Sequence, residues 1–256
     1  MRINLLYRSS LAWRVFSVMI LLLLFARLYL STTVKYASDY SSFVLTFHQH
    51  LGMSSDVSVL TFHNDNLRTG QNLNESILNT RNVNAQDFGK RVSYPVDGQV
   101  YAQPLFVHNV IMRGHHYNVV YVATENDSVY AFDADQMHVV APLWKRSFLH
   151  LPDVAAVPSA DVFRKYQQQD IEPSIGITST PVIDLTTNTN VVAMTEEHGN
   201  QYVQRLHALD ITKGTDRSGS PMTIFALIKG EGYDRSEGTP SLVTFHSRQA
   251  NQRCSS

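Results

Sequence analysis

Cysteine is nearly absent. Cys254 is the only one among 256 residues, so no disulfide can form within the chain. That neither supports nor excludes export, because a large β domain holds together without covalent staples. An excess of either charge is lacking too. With 21 Lys and Arg against 22 Asp and Glu, the formal net charge is −1. Without a basic excess there is no electrostatic reason to expect a nucleic-acid partner. The chain also has no Gly-rich phosphate loop, no G-x-S-x-G, no H-E-x-x-H and no C-x-x-C. The local signatures of nucleotide binding, serine hydrolysis, zinc proteolysis and thiol redox chemistry are therefore missing. What remains is the composition of an ordinary folded protein, long enough for one or two domains with a sizeable core.

The N-terminus carries the clearest local signal. Arg2, Arg8 and Arg14 precede Val15 to Ala26, a run that is apolar except for Ser17. A basic region followed by a short apolar core is the pattern of an export signal. Counted from Leu11 to Leu30, the stretch is also long enough to span a bilayer, with Arg14 and Arg27 reaching the two interfaces. Ser31-Thr32-Thr33 makes a poor cleavage site, which favours an uncleaved anchor in residues 1–30 over a signal peptide. Both readings make the membrane a partner through residues 11–30. They put the folded part outside the cytoplasm, membrane-anchored or, if the leader is cleaved, secreted. Residues 31–56, rich in serine, read as a tether with a short helix in Ser42 to Leu51, and the folded domain as 57–256.

Tyr117 to Asp135 reads as two strands folded back on each other. Val119 to Val122 and Ser128 to Phe132 are β-branched and aromatic, and Glu125-Asn126-Asp127 between them tolerates a tight turn. A second turn, Asp133-Ala134-Asp135, leads to a third strand anchored by Trp144. This is the layout of a propeller blade. It resembles the repeat of the pyrroloquinoline-quinone-like β-propellers, in Val120-Tyr121-Val122-Ala123-Thr124, Asp127, Val129-Tyr130-Ala131-Phe132-Asp133-Ala134 and Trp144. Ser128 departs from it, standing where the family usually has Gly. The segments His63 to Asn66, Arg68 to Asn72, Tyr94 to Gly98, Tyr101 to Leu105 and Leu206 to Asp210 extend the resemblance, from about Leu60 to Arg253, to a group of exported bacterial proteins with this repeat.

The repeat recurs within the chain. Ile177 to Ile183 aligns with Val100 to Phe106 at an offset of 77, Val191 to Glu196 with Val120 to Glu125 at 71, and Leu206 to Asp210 with Val129 to Asp133 at 77. Strands are expected at Phe88 to Tyr94 and Gln99 to Val107, and Phe148 to Ile175 reads as a long connection with one helical turn near Ala160 to Gln169. Met222 to Leu227 closes a second blade and Gly238 to Phe245 opens a third. The expected fold is all-β: an incomplete propeller of two full blades and part of a third, behind an N-terminal hydrophobic helix. An open arc of blades leaves apolar faces uncovered, so a second chain or a further C-terminal part is expected to complete it.

The candidate polar site is the loop carrying Asn64, Asp65, Asn66 and Arg68. The first three are possible oxygen ligands for a hard cation and the last an anion anchor. A single carboxylate before Glu75 falls short of a calcium loop, and the competing reading is a loop locked by its own hydrogen bonds. His115-His116 points to opposite faces of an extended chain. Asp133 and Asp210 recur at equivalent positions and read as turn holders, and His207 as a packed residue in the place of Tyr130. The resemblance implies a further test, since quinoprotein dehydrogenases use a vicinal disulfide, an aromatic floor, Ca²⁺ and an Asp base. One cysteine rules out that disulfide. The reading is a non-catalytic binding or scaffold module with no catalytic, metal or cofactor-binding residues assigned. The alternative is an N-terminal fragment of a quinone-dependent oxidoreductase, with pyrroloquinoline quinone and Ca²⁺ as cofactors.

Overall fold

Val119 to Val122 and Ser128 to Phe132 form adjacent strands, as their β-branched and aromatic residues require. The computed structural model describes residues 41–46, 57–86, 88–150, 152–162, 170–198, 201–230, 242–248 and 250. The chain divides between Tyr40 and Ser41 into two units, and every described residue belongs to the second. The hydrophobic helix expected in residues 1–30 lies outside the described residues. Among those described, no helix is long and apolar enough to cross a membrane.

The described part is all-β with antiparallel pairing. Before the first full sheet come β1 (Ser41–Thr46) and β2 (Lys90–Val96), paired antiparallel with Ser41 opposite Val96. Ser42 to Thr46, the first part of the short helix expected in Ser42 to Leu51, thus lie in a strand. The first full sheet is β3 (Leu105–Met112), β4 (His115–Thr124), β5 (Ser128–Asp133) and β6 (Trp144–Ser147), in chain order. The turn from β3 to β4 needs two left-handed residues, Arg113 (φ 52°) and Gly114 (φ 80°). Asp127, at φ 48°, does the same between β4 and β5.

Both faces of β4 and β5 are covered, so Val119 to Thr124 is one continuous buried run. On one face Val120, Val122, Tyr130 and Phe132 pack against Val92, Tyr94 and Val96 of β2. Tyr94 and Phe132 stack there at 4.5 Å. On the other, Val119, Tyr121, Ala131, Leu105 and Val107 meet Ile183 and Ile211 of the second sheet. Each buried Val, Leu, Ile or Phe side chain among them contributes about 1.5–3 kcal/mol.

The second sheet repeats the plan with β9 (Val182–Asp184), β10 (Thr189–His198), β11 (Gln201–Asp210) and β12 (Met222–Thr223). β9 covers only the first part of β10. The later part pairs with β7 (Val154–Pro158), which in turn pairs with β8 (Ser174–Ile175). A one-turn helix, α1 (Ser159–Val162), follows β7. The stretch expected to be a connection with one helical turn therefore also supplies two strands. A last pair, β13 (Leu227–Lys229) and β14 (Leu242–Thr244), stands as its own two-stranded sheet.

The pairing also corrects the repeat. Tyr121 lies between Leu105 and Ala131, and Val191 lies between Val182 and Ala208. The offsets are 77, 70 and 77, so the middle one is a residue shorter than the 71 expected from the sequence. A shared hydrogen bond agrees: Glu125 N–H donates to Gln99 O at 2.9 Å, and Thr195 N–H donates to Gly176 O at 3.2 Å. Because side chains alternate along a strand, that single residue decides which face each one occupies.

The two sheets stack through Ala102, Ala123, Val129 and Phe148 on the first and Ile177, Val192 and Leu209 on the second. A polar clip holds one end. The Tyr121 hydroxyl (3.0 Å) and the Trp144 indole N–H (2.9 Å) both donate to the Ile211 carbonyl. Gly214 (φ +68°) leaves the space the indole fills, since a Cβ there would lie 2.4 Å from Trp144 Cε3.

Candidate functional site

Polar side chains gather where the β4–β5 turn enters the second sheet. Glycines clasp this turn from two sides. A Cβ on Gly98 would lie 2.9 Å from Asn126 Cβ, and one on Gly176 would lie 2.6 Å from Asp127 Oδ1. The clasp buries Glu125 and Asp127 completely. Glu125 Oε2 accepts hydrogen bonds from Gly176 N (2.8 Å) and Thr178 Oγ1 (3.0 Å). Neither carboxyl oxygen of Asp127 has a hydrogen-bond partner. Burial, reinforced by the nearby Glu125, Glu196 and Asp97, pushes the Asp127 carboxyl well above the usual range.

Asp97 stands at the rim in the opposite condition. It accepts from Thr124 Oγ1 (3.0 Å), Ser128 Oγ (2.7 Å) and Lys145 Nζ (2.8 Å). Burial alone would raise its carboxyl, but these donors hold it below the ordinary value. Ser128, the departure from the repeat's usual Gly, thus supplies one of the three donors.

A second polar group lies further along the same interface. His207 Nδ1 is 2.7 Å from Asp216 Oδ1, and Arg146 donates to Asp216 Oδ2 at 2.9 Å. Ser220 Oγ also donates to Asp216 Oδ1 at 2.7 Å. Burial, outweighing Asp216, lowers the His207 pKa. The ring packs on Phe148 at 4.1 Å, and its Nε2 is buried with no hydrogen-bond partner. An Asp-oriented imidazole is the arrangement of a general base, but a base must reach a substrate proton. This one faces the packed interior between two sheets. Glu196, paired with Arg205, completes the set.

The loop singled out by sequence spends its polar groups internally. Arg68 donates to Thr61 Oγ1 (2.6 Å) and to the Phe62 carbonyl (2.9 Å). Asp65 accepts from the Thr69 backbone N–H and hydroxyl, and Asn64 donates to the Gln71 carbonyl. The Thr69 bonds lead the causes that lower the Asp65 carboxyl. Asn66 is exposed. These four residues are not brought to the acidic cluster by any hydrogen bond or packing contact among the described residues. His116 Nδ1 sits 2.6 Å from Asn109 Oδ1. Asp133 and Asp210 both accept the backbone N–H two residues on, at 3.1 and 2.8 Å. Sequence reasoning missed Glu125, Asp127 and Glu196 as buried acids and Asp97 and Asp216 as half-buried ones beside them. The available signal was the two acidic turns, Asp97-Gly98 and Glu125-Asn126-Asp127.

Among the described residues, no group of three or more His, Cys, Asp or Glu side chains is arranged to hold a metal ion. The chain matches no protein-family model, no curated protein and no solved structure.

Proposed function

We propose that this chain is a non-catalytic, exported or membrane-tethered β-propeller repeat segment that acts as a binding or scaffold module. One observation carries the reading: equivalent positions in the two sheets meet different fates. Leu105 and Val129 on the first sheet are 1% and 0% exposed beneath the second sheet. Their counterparts 77 positions on, Val182 and Leu206, are 45% and 39% exposed. The second sheet therefore offers the surface that its own repeat uses for stacking. Gln103 N–H also donates to Thr180 Oγ1 at 2.9 Å, so two residues 77 apart touch. Convergence of equivalent strand starts is what rotation about a common axis produces. Glu125, Asp127, Glu196 and His207 are buried, and a group enclosed in packing is poorly placed to reach a substrate. The basic leader and the apolar run from Val15 to Ala26 support export or a tether.

The test is association of the full chain, in mild detergent, by analytical ultracentrifugation. Leu206→Asp places a charge on the open face without touching the core, so it should abolish association and leave the melting temperature within a few degrees. Association indifferent to Leu206→Asp overturns the reading. So does a rise in melting temperature on adding pyrroloquinoline quinone with Ca²⁺, because only a ligand bound to the folded state stabilises by mass action.

A further inference from the structure

The triplet Asn-x-Ser or Asn-x-Thr, with x other than proline, is the acceptor signature of an N-linked glycan on an exported surface. It occurs twice in the chain, as Asn74-Glu75-Ser76 and as Asn126-Asp127-Ser128. The structure separates the two. The second lies in the β4–β5 turn, inside the polar cluster. Asp127 and Ser128 are both buried, and the Ser128 hydroxyl is engaged, donating to Asp97 Oδ2 at 2.7 Å. Asn126 is half-buried, and its Cβ would lie only 2.9 Å from a Cβ added to Gly98. A glycan on Asn126 would hold Gly98 away and keep the turn from seating.

The first triplet is open. Asn74, Glu75 and Ser76 are all exposed, within residues 61–86, which form neither helix nor strand. Local polar groups turn the backbone there. Asn74 N–H donates to Asn72 Oδ1 at 3.0 Å, and Glu75 Oε1 accepts from the Ile77 and Leu78 N–H groups, both at 2.8 Å. None of these bonds uses the Asn74 carboxamide or the Ser76 hydroxyl, the two groups that a glycan transferase must engage. A loop of this kind can be drawn into an extended acceptor conformation without breaking any sheet pairing. Leu73, immediately before Asn74, is 86% exposed, more than any other large apolar side chain among the described residues. A glycan on Asn74 sets a bulky, solubilising group next to it.

We propose that Asn74 is the acceptor of an N-linked oligosaccharide added outside the cytoplasm. The inference rests on the exported or tethered reading above. The donor is an oligosaccharide carried on a polyprenyl diphosphate. Asn74 Nδ2 forms a bond to the anomeric carbon of the first sugar, and the bond from that carbon to the diphosphate oxygen breaks. The amide gives up one proton as the lipid diphosphate leaves, so neither oxidant nor reductant is needed. Ser76 supplies the hydroxyl by which the triplet is recognised.

The test is translation of the full chain in the presence of endoplasmic-reticulum microsomes, with the product compared before and after peptide N-glycosidase. One glycan is expected, not two, and its enzymatic removal leaves an aspartate in place of Asn74. Asn74→Gln and Ser76→Ala should each abolish it, Ser76→Thr should keep it, and Asn126→Gln should change nothing. A glycan that survives Asn74→Gln overturns the proposal, and so does an unmodified parent chain. A control acceptor in a second exposed loop, His138→Asn with Val140→Thr, tells two failures apart. Modification of the control while Asn74 stays bare means that the chain crosses the membrane and the glycan assignment alone falls. If neither site is modified, the export reading falls with it.

Discussion

Asp127→Asn should stabilise the protein, and by an amount that grows with pH. Asp127 is fully buried, neither of its carboxyl oxygens has a hydrogen-bond partner, and three other carboxylates lie around it. The folded state therefore holds its proton far more tightly than the unfolded chain, where the pKa is about 3.9. The sign follows from linkage. The group's contribution is fully present below the unfolded pKa and falls by about 1.4 kcal/mol for each pH unit above it. It levels off only where pH passes the raised folded value. Asparagine has nearly the same shape, accepts the left-handed φ of 48°, and never ionises. The stability difference between Asp127→Asn and the parent should thus be small near pH 4 and widen by about 1.4 kcal/mol per unit as pH rises. Asp97, Asp210 and Asp216 carry lowered pKa values. Their contributions are lost only as pH falls from about 4 toward those values, below the Asp127 window. Urea unfolding of the full chain at pH 5, 6, 7 and 8, followed by Trp144 fluorescence, separates the two. A difference that stays flat above pH 5 would refute the account of Asp127 as a buried neutral acid.

Two further substitutions probe the clip between the sheets. Gly214→Ala combines a positive φ with a Cβ pressed against the indole of Trp144, and should cost about 2–4 kcal/mol. A loss below about 1 kcal/mol with unchanged tryptophan emission would mean that the indole does not sit over Gly214. Tyr121→Phe and Trp144→Phe each remove one of the two donors to the Ile211 carbonyl, whereas the double variant leaves that acceptor without either. A double-mutant cycle should therefore show about 1 kcal/mol of extra loss, and additivity within a few tenths would contradict the shared acceptor.

The central hairpin was legible in the sequence because its determinants are local. Val119 to Val122 and Ser128 to Phe132 favour extended backbone, and Asp127 tolerates the turn. The offset between repeats was misjudged by one residue for a physical reason. Both faces of β4 are buried, so the usual alternation of apolar and polar residues vanishes and either alignment places apolar residues on apolar ones. Only the pairing of Val191 with Val182 and Ala208 decides. β7 and β8 were hidden by prolines, yet Pro158 is the last residue of β7 and Pro173 lies just outside β8, where a missing N–H is tolerated. The acidic cluster was illegible for another reason. Glu125 and Asp127 have turn-like identities, and turns are ordinarily exposed. They are buried because Gly98 and Gly176, from segments far apart in sequence, close over them.

The two sheets share a plan but differ in how each can be joined to a neighbour. The first presents Tyr121 and Trp144, donors that need an acceptor supplied by the sheet packed against them, and Ile211 supplies it. At the corresponding places the second sheet has Val191 and Ser220. Valine carries no donor, and the Ser220 hydroxyl is engaged, donating to Asp216 and accepting from the Ala208 N–H at 2.9 Å. Separating the first pair of sheets breaks both hydrogen bonds to Ile211, and with water replacing them each opposes opening by about 0.5–1.5 kcal/mol net. Covering and uncovering the second sheet's outer face carries no such penalty at these positions, because what it exposes there is apolar or already satisfied. The first interface thus has the character of a permanent one within the chain. The outer face of the second sheet has no such lock at the corresponding positions.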